Sequence, residues 1–333
     1  MPVALIGLGH WGCRFVPKLL NHALVKGLYC YDIDDARSRR IIQDFPSVKV
    51  SSDYESVLNN PEIEAVIIAT PVASHYSLAK KALESGKHVL LEKPLTNRVD
   101  EAQHLVDLAS ARALKLMVDH ITLYSGAARS IKRLIESQTL GKVIYFDAVR
   151  ANLGLIQSDV SVVWDLAIHE FALIDYLLGE MPNRVSATGA AFYGSLEEIA
   201  DVTLSFEGGI VAHVHVSWLS PVKKRKLIIG GMKKMLVFDD MVSDKKLKLF
   251  DRGVDLSVNA GVDKPIVTYR DGDCQVLDHD RTEPMVAVIS EFMKAISEGR
   301  EPLTNGAVGL RCVRILQAAE KSVKQRGTSV NLG

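Results

Sequence analysis

The chain has 333 residues, of which 47% are hydrophobic and 24% are charged, the balance of an ordinary globular protein. A single hydrophobic core stops growing at about 250 to 300 residues, so this length predicts two domains. Lysine plus arginine equals aspartate plus glutamate at 40 each, which argues against a nucleic-acid partner and against an acidic disordered chain.

The first third of the chain alternates short apolar runs with helical segments. The runs that we interpret as strands are VALIG (3–7), GLYCYD (27–32), VKVS (48–51), EAVIIAT (64–70), HVLLE (88–92) and LKLMVD (114–119). Several of them are continuously apolar, as expected for strands that are buried on both faces. The pattern predicts an α/β domain with a doubly wound parallel sheet over residues 1–120.

After residue 120 the pattern changes. A helix at 125–137 precedes a strand at 142–152, a loop, and an almost wholly apolar helix at 162–179. Six further strands follow between residues 183 and 253, and two amphipathic helices come near the end. This order predicts a second, α+β domain over residues 121–333, with an open-faced, mostly antiparallel sheet that helices cover on one side.

The cysteine spacing and the first residues of the chain indicate the cellular compartment and whether a metal site is expected. Cys13, Cys30, Cys274 and Cys312 are scattered, with no pair at metal-ligand spacing. We therefore expect no metal site and free thiols, which are typical of the reducing cytoplasm. The start of the chain fits no signal peptide, and no run is long enough to cross a bilayer, so we expect a cytoplasmic protein without a membrane partner.

The segment GLGHWG (7–12) directly follows the first predicted strand and opens a helix. In this setting Gly7 permits a tight turn, Gly9 lets the backbone approach a pyrophosphate, and Gly12 allows close helix–strand packing. The loop, including His10 and Trp11, is therefore predicted to bind a dinucleotide in a Rossmann domain.

Asp32 ends the second strand, where an acid accepts the ribose hydroxyls of the cofactor. Because an acid repels a 2′-phosphate, NAD is favoured over NADP. The positive charges of Arg37, Arg39 and Arg40 soften that repulsion.

The carboxyl ends of later parallel strands border the cofactor crevice in such folds. The residues expected there are Thr70, Pro71, His75, Glu92 and Lys93. Two of them have plain alternatives, because His75 also fits a packed histidine at a strand end and Lys93 also fits a solvated lysine.

The helix at 162–179 carries Asp165 and His169 four positions apart, on one stripe of an apolar helix. One interpretation is structural, with Asp165 as a helix cap and His169 as a core histidine bonded to a carbonyl. The other is chemical, since a histidine that titrates near neutrality suits a proton-transfer role.

Taken together, these motifs resemble those of the Gfo/Idh/MocA family, which includes glucose–fructose oxidoreductase and inositol dehydrogenase. The resemblance covers essentially the whole chain and rests on GLGHWG (7–12), ATPxxxH (69–75), EKP (92–94) and DxxxH at Asp165 and His169. It implies a Rossmann domain followed by an open-faced sheet domain, a nicotinamide cofactor, and Lys93, Asp165 and His169 at catalytic positions.

A narrower resemblance, over residues 149–170 and 213–240, is to members that act on nucleotide-linked sugars and form 3-keto products. It implies NAD-dependent oxidation at ring carbon 3 of a sugar of the UDP-N-acetylglucosamine type. The segment at 118–128 keeps His120 and Tyr124 but departs from that pattern at Asp119, Ser125 and Gly126. The alternatives are a dTDP-deoxysugar 3-ketoreductase, a free-sugar or inositol dehydrogenase, and a non-catalytic NAD-binding regulator.

Oxidation of a secondary alcohol needs a base for the hydroxyl proton and a group that stabilises the developing alkoxide. His169 is the leading candidate base, with Asp165 as its orienting partner or substrate clamp and Lys93 as its electrostatic partner; proton uptake by Lys93 is the alternative. Residues expected to bind substrate are Lys93, His120, Tyr124, Arg150, Asn152, Gln157, Asp165 and His169, with Asp159 in the same loop as Gln157. An open sheet face predicts a homodimer or homotetramer.

Overall fold

The computed structural model describes residues 1–257 and 266–332, which divide into two compact units. The first unit comprises Met1–Tyr124 and Thr282–Arg314, and the second comprises Ser125–Arg281 and Ile315–Gly333 as far as they are described. Within the described ranges, no helix is both long and apolar enough to cross a membrane.

Six parallel strands form the sheet of the first unit. They are β1 (Pro2–Ile6), β2 (Gly27–Tyr31), β3 (Lys49–Val50), β4 (Ala65–Ile68), β5 (His88–Glu92) and β6 (Leu116–Asp119), in the spatial order β3-β2-β1-β4-β5-β6. The helices between them are α1 (Gly12–Leu20), α2 (Asp35–Asp44), α3 (Tyr54–Asn59), α4 (His75–Glu84) and α5 (Val99–Ala111). The predicted doubly wound sheet is confirmed, and its strand order reverses between β1 and β4, where such sheets bind dinucleotides.

The second unit is built on a sheet of nine strands. Its elements are α6 (Gly126–Glu136), β7 (Val143–Leu153), α7 (Ile168–Leu178), β8 (Arg184–Ala190), β9 (Ile199–Ser205), β10 (Val211–Ser217), β11 (Leu219–Gly231), β12 (Met235–Asp239), β13 (Leu247–Ser257) and β14 (Ile266–Leu277). The chain closes with α8 (Pro284–Ser297), α9 (Gly306–Lys324) and β15 (Val330–Asn331).

The spatial order of this sheet is β14-β13-β12-β11-β7-β10-β9-β8-β15. Every described pairing in it is antiparallel except that of β7 with β10, which confirms the mostly antiparallel prediction. Side chains alternate along β10, so that Val214 and Val216 are buried and His213 is exposed. Buried residues of α7, among them Phe171 and Ile174, belong to the same unit's core.

The division into units differs from the predicted domains 1–120 and 121–333, because residues 282–314 return to the first unit. The amide of Val118 in β6 donates to the carbonyl of Thr304 at 2.8 Å. The apolar face of α8, including Val288 and Phe292, is fully buried there. An amphipathic pattern shows that a helix covers a core, but it does not show which core.

Candidate active site

The glycines of the first loop are required by the backbone geometry around them. Gly7 has a φ of +90°, and a Cβ there would lie 2.6 Å from the carbonyl oxygen of Ala69. A Cβ on Gly12 would lie 1.8 Å from the carbonyl oxygen of Gly7. A Cβ on Gly9 would meet only the Arg37 guanidinium, at 3.6 Å, so the fold itself does not require a glycine at that position.

This loop fits the pyrophosphate of a dinucleotide, because bare backbone precedes the N-terminus of α1. The two other predicted residues of the loop lie at its surface. The Nε2 atom of His10 is 2.9 Å from Nη2 of Arg14, and the Arg14 guanidinium stacks 4.7 Å from the ring centroid of Trp11.

Asp32 is held in place by main-chain donors at the end of β2. Its Oδ2 accepts from the amide of Leu8 at 2.6 Å, and its Oδ1 accepts from the amide of Asp34 at 2.8 Å. A guanidinium nitrogen of Arg37 lies 3.5 Å from Oδ2. A cavity of about 400 Å³ adjoins the carboxylate, lined by Asp32, Asp35, Ser38, Arg39, Ile42, Val50, Ser51 and Ser52. An adenosine ribose at this strand end would meet the Asp32 carboxylate.

His75 links the loops that follow β4 and β5. Its Nε2 lies 2.8 Å from the carbonyl oxygen of Thr70, and its Nδ1 lies 2.8 Å from that of Pro94. Burial lowers the pKa of His75. Thr70 also accepts a hydrogen bond from the Ser74 hydroxyl at 2.8 Å, and Pro71 immediately precedes the short 3₁₀ turn Val72–Ser74. The buried imidazole of His75 therefore connects, through hydrogen bonds, two loops that are expected to border the cofactor.

Glu92 and Asp119 lie at the carboxyl ends of β5 and β6 and are register partners. Their buried carboxyl groups are hydrogen-bonded to each other, and burial is the main cause that raises the pKa of each. The half-buried Lys93 follows Glu92, and its positive charge acts on both acids and on the buried ring of His120. The first unit thus brings Glu92, Lys93 and His120 together at one end of its sheet.

Tyr124 belongs to the same unit and is also buried. Its hydroxyl lies 2.8 Å from the Thr304 hydroxyl, in a hydrogen bond within the core. Burial raises the pKa of Tyr124, so the phenol is neutral at physiological pH.

Asp165 and His169 lie in the second unit, where the helix begins with a π-helical turn, Val163–Ala167, before α7. Asp165 is inside that turn and does not cap the helix, whose flanking residue is Val162. The indole N–H of Trp218 donates to Oδ2 of Asp165 at 3.2 Å. Both Asp165 and His169 are half-buried, so the two polar groups occupy the edge of an otherwise apolar helix.

The remaining predicted substrate residues differ in their surroundings. Arg150 on β7 is buried, and its Nε donates to Oε1 of Glu170 at 2.7 Å, in an ion pair. Asn152 is half-buried. A Cβ on Gly154 would lie 2.7 Å from the side-chain nitrogen of Asn152 and 2.9 Å from the nearest ring atom of Trp218. Gln157 and Asp159 are exposed in the loop after β7.

Sequence reasoning did not predict the contacts of three residues in these clusters. They are Trp218, which donates to Asp165, Glu170, which pairs with Arg150, and Asp119, which pairs with Glu92. The available signals were a tryptophan at a strand end, an acid inside an apolar helix, and an acid ending a buried strand. Each is a common pattern by itself, and the partner that gives it meaning is distant in sequence.

Comparison with known families supports the architecture just described. Residues 1–120 match the model of an oxidoreductase family with an NAD-binding Rossmann fold, and residues 128–237 match the GFO/IDH/MocA C-terminal domain. The chain belongs to the Gfo/Idh/MocA family. This Gfo/Idh/MocA protein is therefore an oxidoreductase with a Rossmann domain for a nicotinamide cofactor, as predicted.

Several Gfo/Idh/MocA relatives align with much of this member of the family. The UDP-N-acetylglucosamine 3-dehydrogenase of Acidithiobacillus ferrooxidans is 27% identical over 93% of both chains. A scyllo-inositol 2-dehydrogenase (NAD⁺) of Bacillus subtilis is 28% identical over 66% of this chain and 67% of that one. A crystal structure of the Acidithiobacillus enzyme superposes with a TM-score of 0.83 over 98% of each chain, at 24% identity, and shows the same fold.

Proposed function

We propose that this Gfo/Idh/MocA protein catalyses NAD-dependent oxidation of a ring hydroxyl, at carbon 3, of a nucleotide-linked sugar such as UDP-N-acetylglucosamine. The observation that carries the proposal is the full-length similarity to a UDP-N-acetylglucosamine 3-dehydrogenase, at 27% identity over 93% of both chains. The 3-keto product would serve glycan or lipopolysaccharide biosynthesis, because a ketone is a substrate for amination or reduction.

The choice of NAD rests on Asp32. Its carboxylate is fixed by two main-chain amides, so it stays where a ribose hydroxyl would donate to it and a 2′-phosphate would be repelled. Arg37, 3.5 Å from that carboxylate, offsets part of the negative charge. We therefore propose NAD as the preferred cofactor and NADP as a weaker one.

The bound nicotinamide supplies the hydride acceptor, and this chain's residues handle the proton and the developing charge. We propose His169 and Lys93 as the two groups able to take the hydroxyl proton, with the charge of the lysine stabilising the alkoxide. Asp165, held by the Trp218 indole, would orient the imidazole or accept a substrate hydroxyl. The same groups would donate the proton in the reverse reduction.

The test is a panel of UDP-sugars, dTDP-sugars and free inositols, assayed with NAD⁺ and NADP⁺, followed by location of the new carbonyl. We expect turnover of a UDP-sugar with NAD⁺, and its loss by orders of magnitude in Lys93→Ala and His169→Ala while NADH binding survives. The matched controls are Lys223→Ala and His213→Ala, since both residues are exposed on strands of the second unit.

Three outcomes would contradict the proposal. Unchanged turnover in both Lys93→Ala and His169→Ala would refute the site assignment. Turnover of free inositol that does not improve with a nucleotide would favour the activity of the Bacillus relative. Reduction of a 3-keto dTDP-sugar without measurable oxidation of any alcohol would favour a ketoreductase.

We also propose that the second unit mediates self-association, as a homodimer or homotetramer. Large apolar side chains are exposed on its strands β13 and β14, where Leu256 is 67% exposed and Tyr269 is 82% exposed. Water contact with apolar area of this kind is unfavourable, and such patches mark interfaces. Light scattering after size exclusion should give a multiple of the 36.6 kDa chain mass, whereas a monomeric mass would contradict this.

A further inference from the structure

The loop between β8 and β9, residues 191–198, carries two exposed aromatic side chains that the mechanism above does not use. Phe192 is 65% exposed and Tyr193 is 77% exposed. An aromatic ring that stays in water forgoes the free energy that burial would give it. Single exposed apolar side chains are common, but two consecutive aromatic residues offer ring faces that suit stacking with a planar ligand.

A buried carboxylate fixes the backbone that carries these two rings. Glu198 is fully buried. Its Oε2 accepts from the amide of Phe192 at 2.5 Å, and its Oε1 accepts from the amides of Tyr193 and Gly194 at 3.1 and 2.8 Å. A buried charge is costly unless it is paired or hydrogen-bonded, and here three main-chain donors satisfy it. The loop is therefore held in one backbone conformation, which lowers the cost of ordering it when a ligand binds.

The same loop is hydrogen-bonded to the residues that hold Asp165. The amide of Trp218 donates to the carbonyl oxygen of Glu198 at 2.9 Å, and its indole donates to Asp165 at 3.2 Å. The amide of Val162, which flanks the π-helical turn of Asp165, donates to the carbonyl oxygen of Glu197 at 2.9 Å. The aromatic loop thus lies beside Asp165, within the second unit.

A second loop with exposed apolar side chains meets the same tryptophan. The amide of Gly154, directly after β7, donates to the carbonyl oxygen of Trp218 at 3.0 Å. The next two residues, Leu155 and Ile156, are both exposed. Hydrogen bonds to the main-chain amide and carbonyl of Trp218 therefore bring an aromatic loop and an aliphatic loop to one place. Binding sites for small molecules are lined mainly by side chains of these two kinds.

A nucleotide-linked sugar has a part that fits this place. When its sugar ring is held at Asp165, its base lies beyond the diphosphate, outside the residues that handle the proton. Every base has a flat π face, and proteins commonly hold bases by stacking them on aromatic side chains. The apolar surface assigned above to self-association is on β13 and β14, whereas β8 and β9 lie towards the opposite edge of the sheet. The aromatic loop is therefore separate from that surface.

We propose that Phe192 and Tyr193 bind the base of the nucleotide-linked sugar by stacking, and that Glu198 is the positioning residue that fixes their loop. Leu155 and Ile156 form the aliphatic side of the same subsite. This inference rests on the proposed function and names the part of the chain that distinguishes a nucleotide-linked sugar from a free one. The base does not change during the reaction, so its binding should alter substrate affinity and leave the rate of hydride transfer unchanged.

The binding test titrates UDP and N-acetylglucosamine 1-phosphate into the NADH-saturated protein by calorimetry. Stacking of a base on an aromatic side chain changes affinity about 5- to 150-fold, so the Kd of Phe192→Ala/Tyr193→Ala for UDP should rise at least about fivefold. Its affinity for the sugar phosphate, which lacks a base, should not change. Phe192→Tyr/Tyr193→Phe keeps both rings and should bind UDP within about threefold of the wild type. With UDP-N-acetylglucosamine and NAD⁺, KM should rise in the double alanine variant while kcat is kept.

Met232→Ala is the matched control for loss of an exposed apolar side chain. Met232 is exposed, and its amide donates to the carbonyl oxygen of Lys142, at the opposite end of β7 from Gly154. The Kd of this variant for UDP should equal that of the wild type.

Glu198→Gln tests the positioning role. The substitution replaces one acceptor oxygen with an NH₂ group, which cannot accept from the loop amides. We expect weaker binding of UDP and an unchanged Kd for NADH. In the Phe192→Ala/Tyr193→Ala background it should weaken UDP binding no further, because Glu198 acts through these two rings. A merely structural effect would weaken UDP binding equally in both backgrounds.

Three results would overturn the subsite alone. They are wild-type affinity for UDP in Phe192→Ala/Tyr193→Ala, an equal loss of affinity for UDP and the sugar phosphate, and a lower mass of this variant in light scattering, which would make the loop a contact between subunits. The proposed function survives each of them if the wild-type protein oxidises a UDP-sugar. Binding of UDP that depends on the two rings, without oxidation of any nucleotide-linked sugar, would refute the proposed function alone.

Discussion

Gly9 is the position of the phosphate-binding loop where the fold and the cofactor make different demands. In Gly9→Ala the new methyl group would lie 3.6 Å from the Arg37 guanidinium, an ordinary contact with a flexible side chain. The φ of Gly9 is not in the left-handed region, so alanine fits and reduces the entropy of the unfolded chain. We therefore expect the free energy of unfolding to stay the same or to rise by about 0.4 to 1 kcal/mol.

The methyl group would, however, stand where the backbone must approach the pyrophosphate. Loss of one charge-assisted hydrogen bond costs about 1.5 to 3 kcal/mol, which is roughly a 10- to 150-fold rise in the Kd for NADH. Gly12→Ala should differ, because its Cβ would lie 1.8 Å from a backbone oxygen and overpacking costs about 1 to 3 kcal/mol or more.

Thermal melting of the cofactor-free protein and fluorescence titration with NADH measure the two effects separately. Gly27→Ala is the control, because its Cβ would lie 3.8 Å from that of Pro2, at the start of β2. Wild-type affinity for NADH in Gly9→Ala would refute the account of the loop. So would a melting temperature of Gly9→Ala as low as that of Gly12→Ala.

Three further predictions concern buried polar groups. Arg150→Met leaves Glu170 buried without its ion-pair partner and should cost about 3 to 5 kcal/mol of unfolding free energy in urea titrations, most of it recovered by adding Glu170→Leu. Trp218→Phe removes the donor to Asp165 and should lower kcat about tenfold with an unchanged Kd for NADH. The pKa of His120 is about 3, so its stabilising contribution is present above pH 6.5 and declines as the pH falls from there towards 3. The difference in unfolding free energy between wild type and His120→Leu should therefore change by about 1.4 kcal/mol per pH unit in the middle of that window.

These predictions have clear controls and contrary outcomes. Trp164→Phe matches Trp218→Phe, because the indole of Trp164 donates to Glu320 at 3.2 Å; equal loss of kcat in both variants would point to packing alone. A cost below about 1 kcal/mol for Arg150→Met would mean that the ion pair with Glu170 is solvated. A pH-independent difference for His120→Leu would mean that the imidazole titrates normally.

The sequence predicts the first sheet well because its central strands are buried on both faces. VALIG and EAVIIAT are continuous apolar runs, and helices of ordinary length separate them. By contrast, β14 was missed because polar residues interrupt its apolar ones and nearly all of its side chains are exposed. That strand is held by its partner β13 and by ion pairs of Arg270 with Asp251 and Asp255 at 3.0 and 2.6 Å. Interactions with a distant strand leave no local apolar pattern.

Some parts of the candidate site can likewise be predicted from the sequence, and others cannot. The glycine loop and Asp32 are readable because one strand, one turn and one helix bring them together within 32 residues. The Glu92–Asp119 pair depends on the register of β5 with β6, and the Trp218–Asp165 contact joins residues 53 positions apart. Such contacts are set by tertiary packing, which a single sequence does not display.

The central claim is hydride removal from carbon 3 of a nucleotide-linked sugar. It is tested most directly with UDP-N-acetylglucosamine that carries deuterium at carbon 3, incubated with NAD⁺ and the wild-type protein. Mass spectrometry should find the deuterium on the reduced nicotinamide and a new carbonyl at carbon 3 of the sugar. Reduced nicotinamide without deuterium, or no reduction of NAD⁺, would contradict the account.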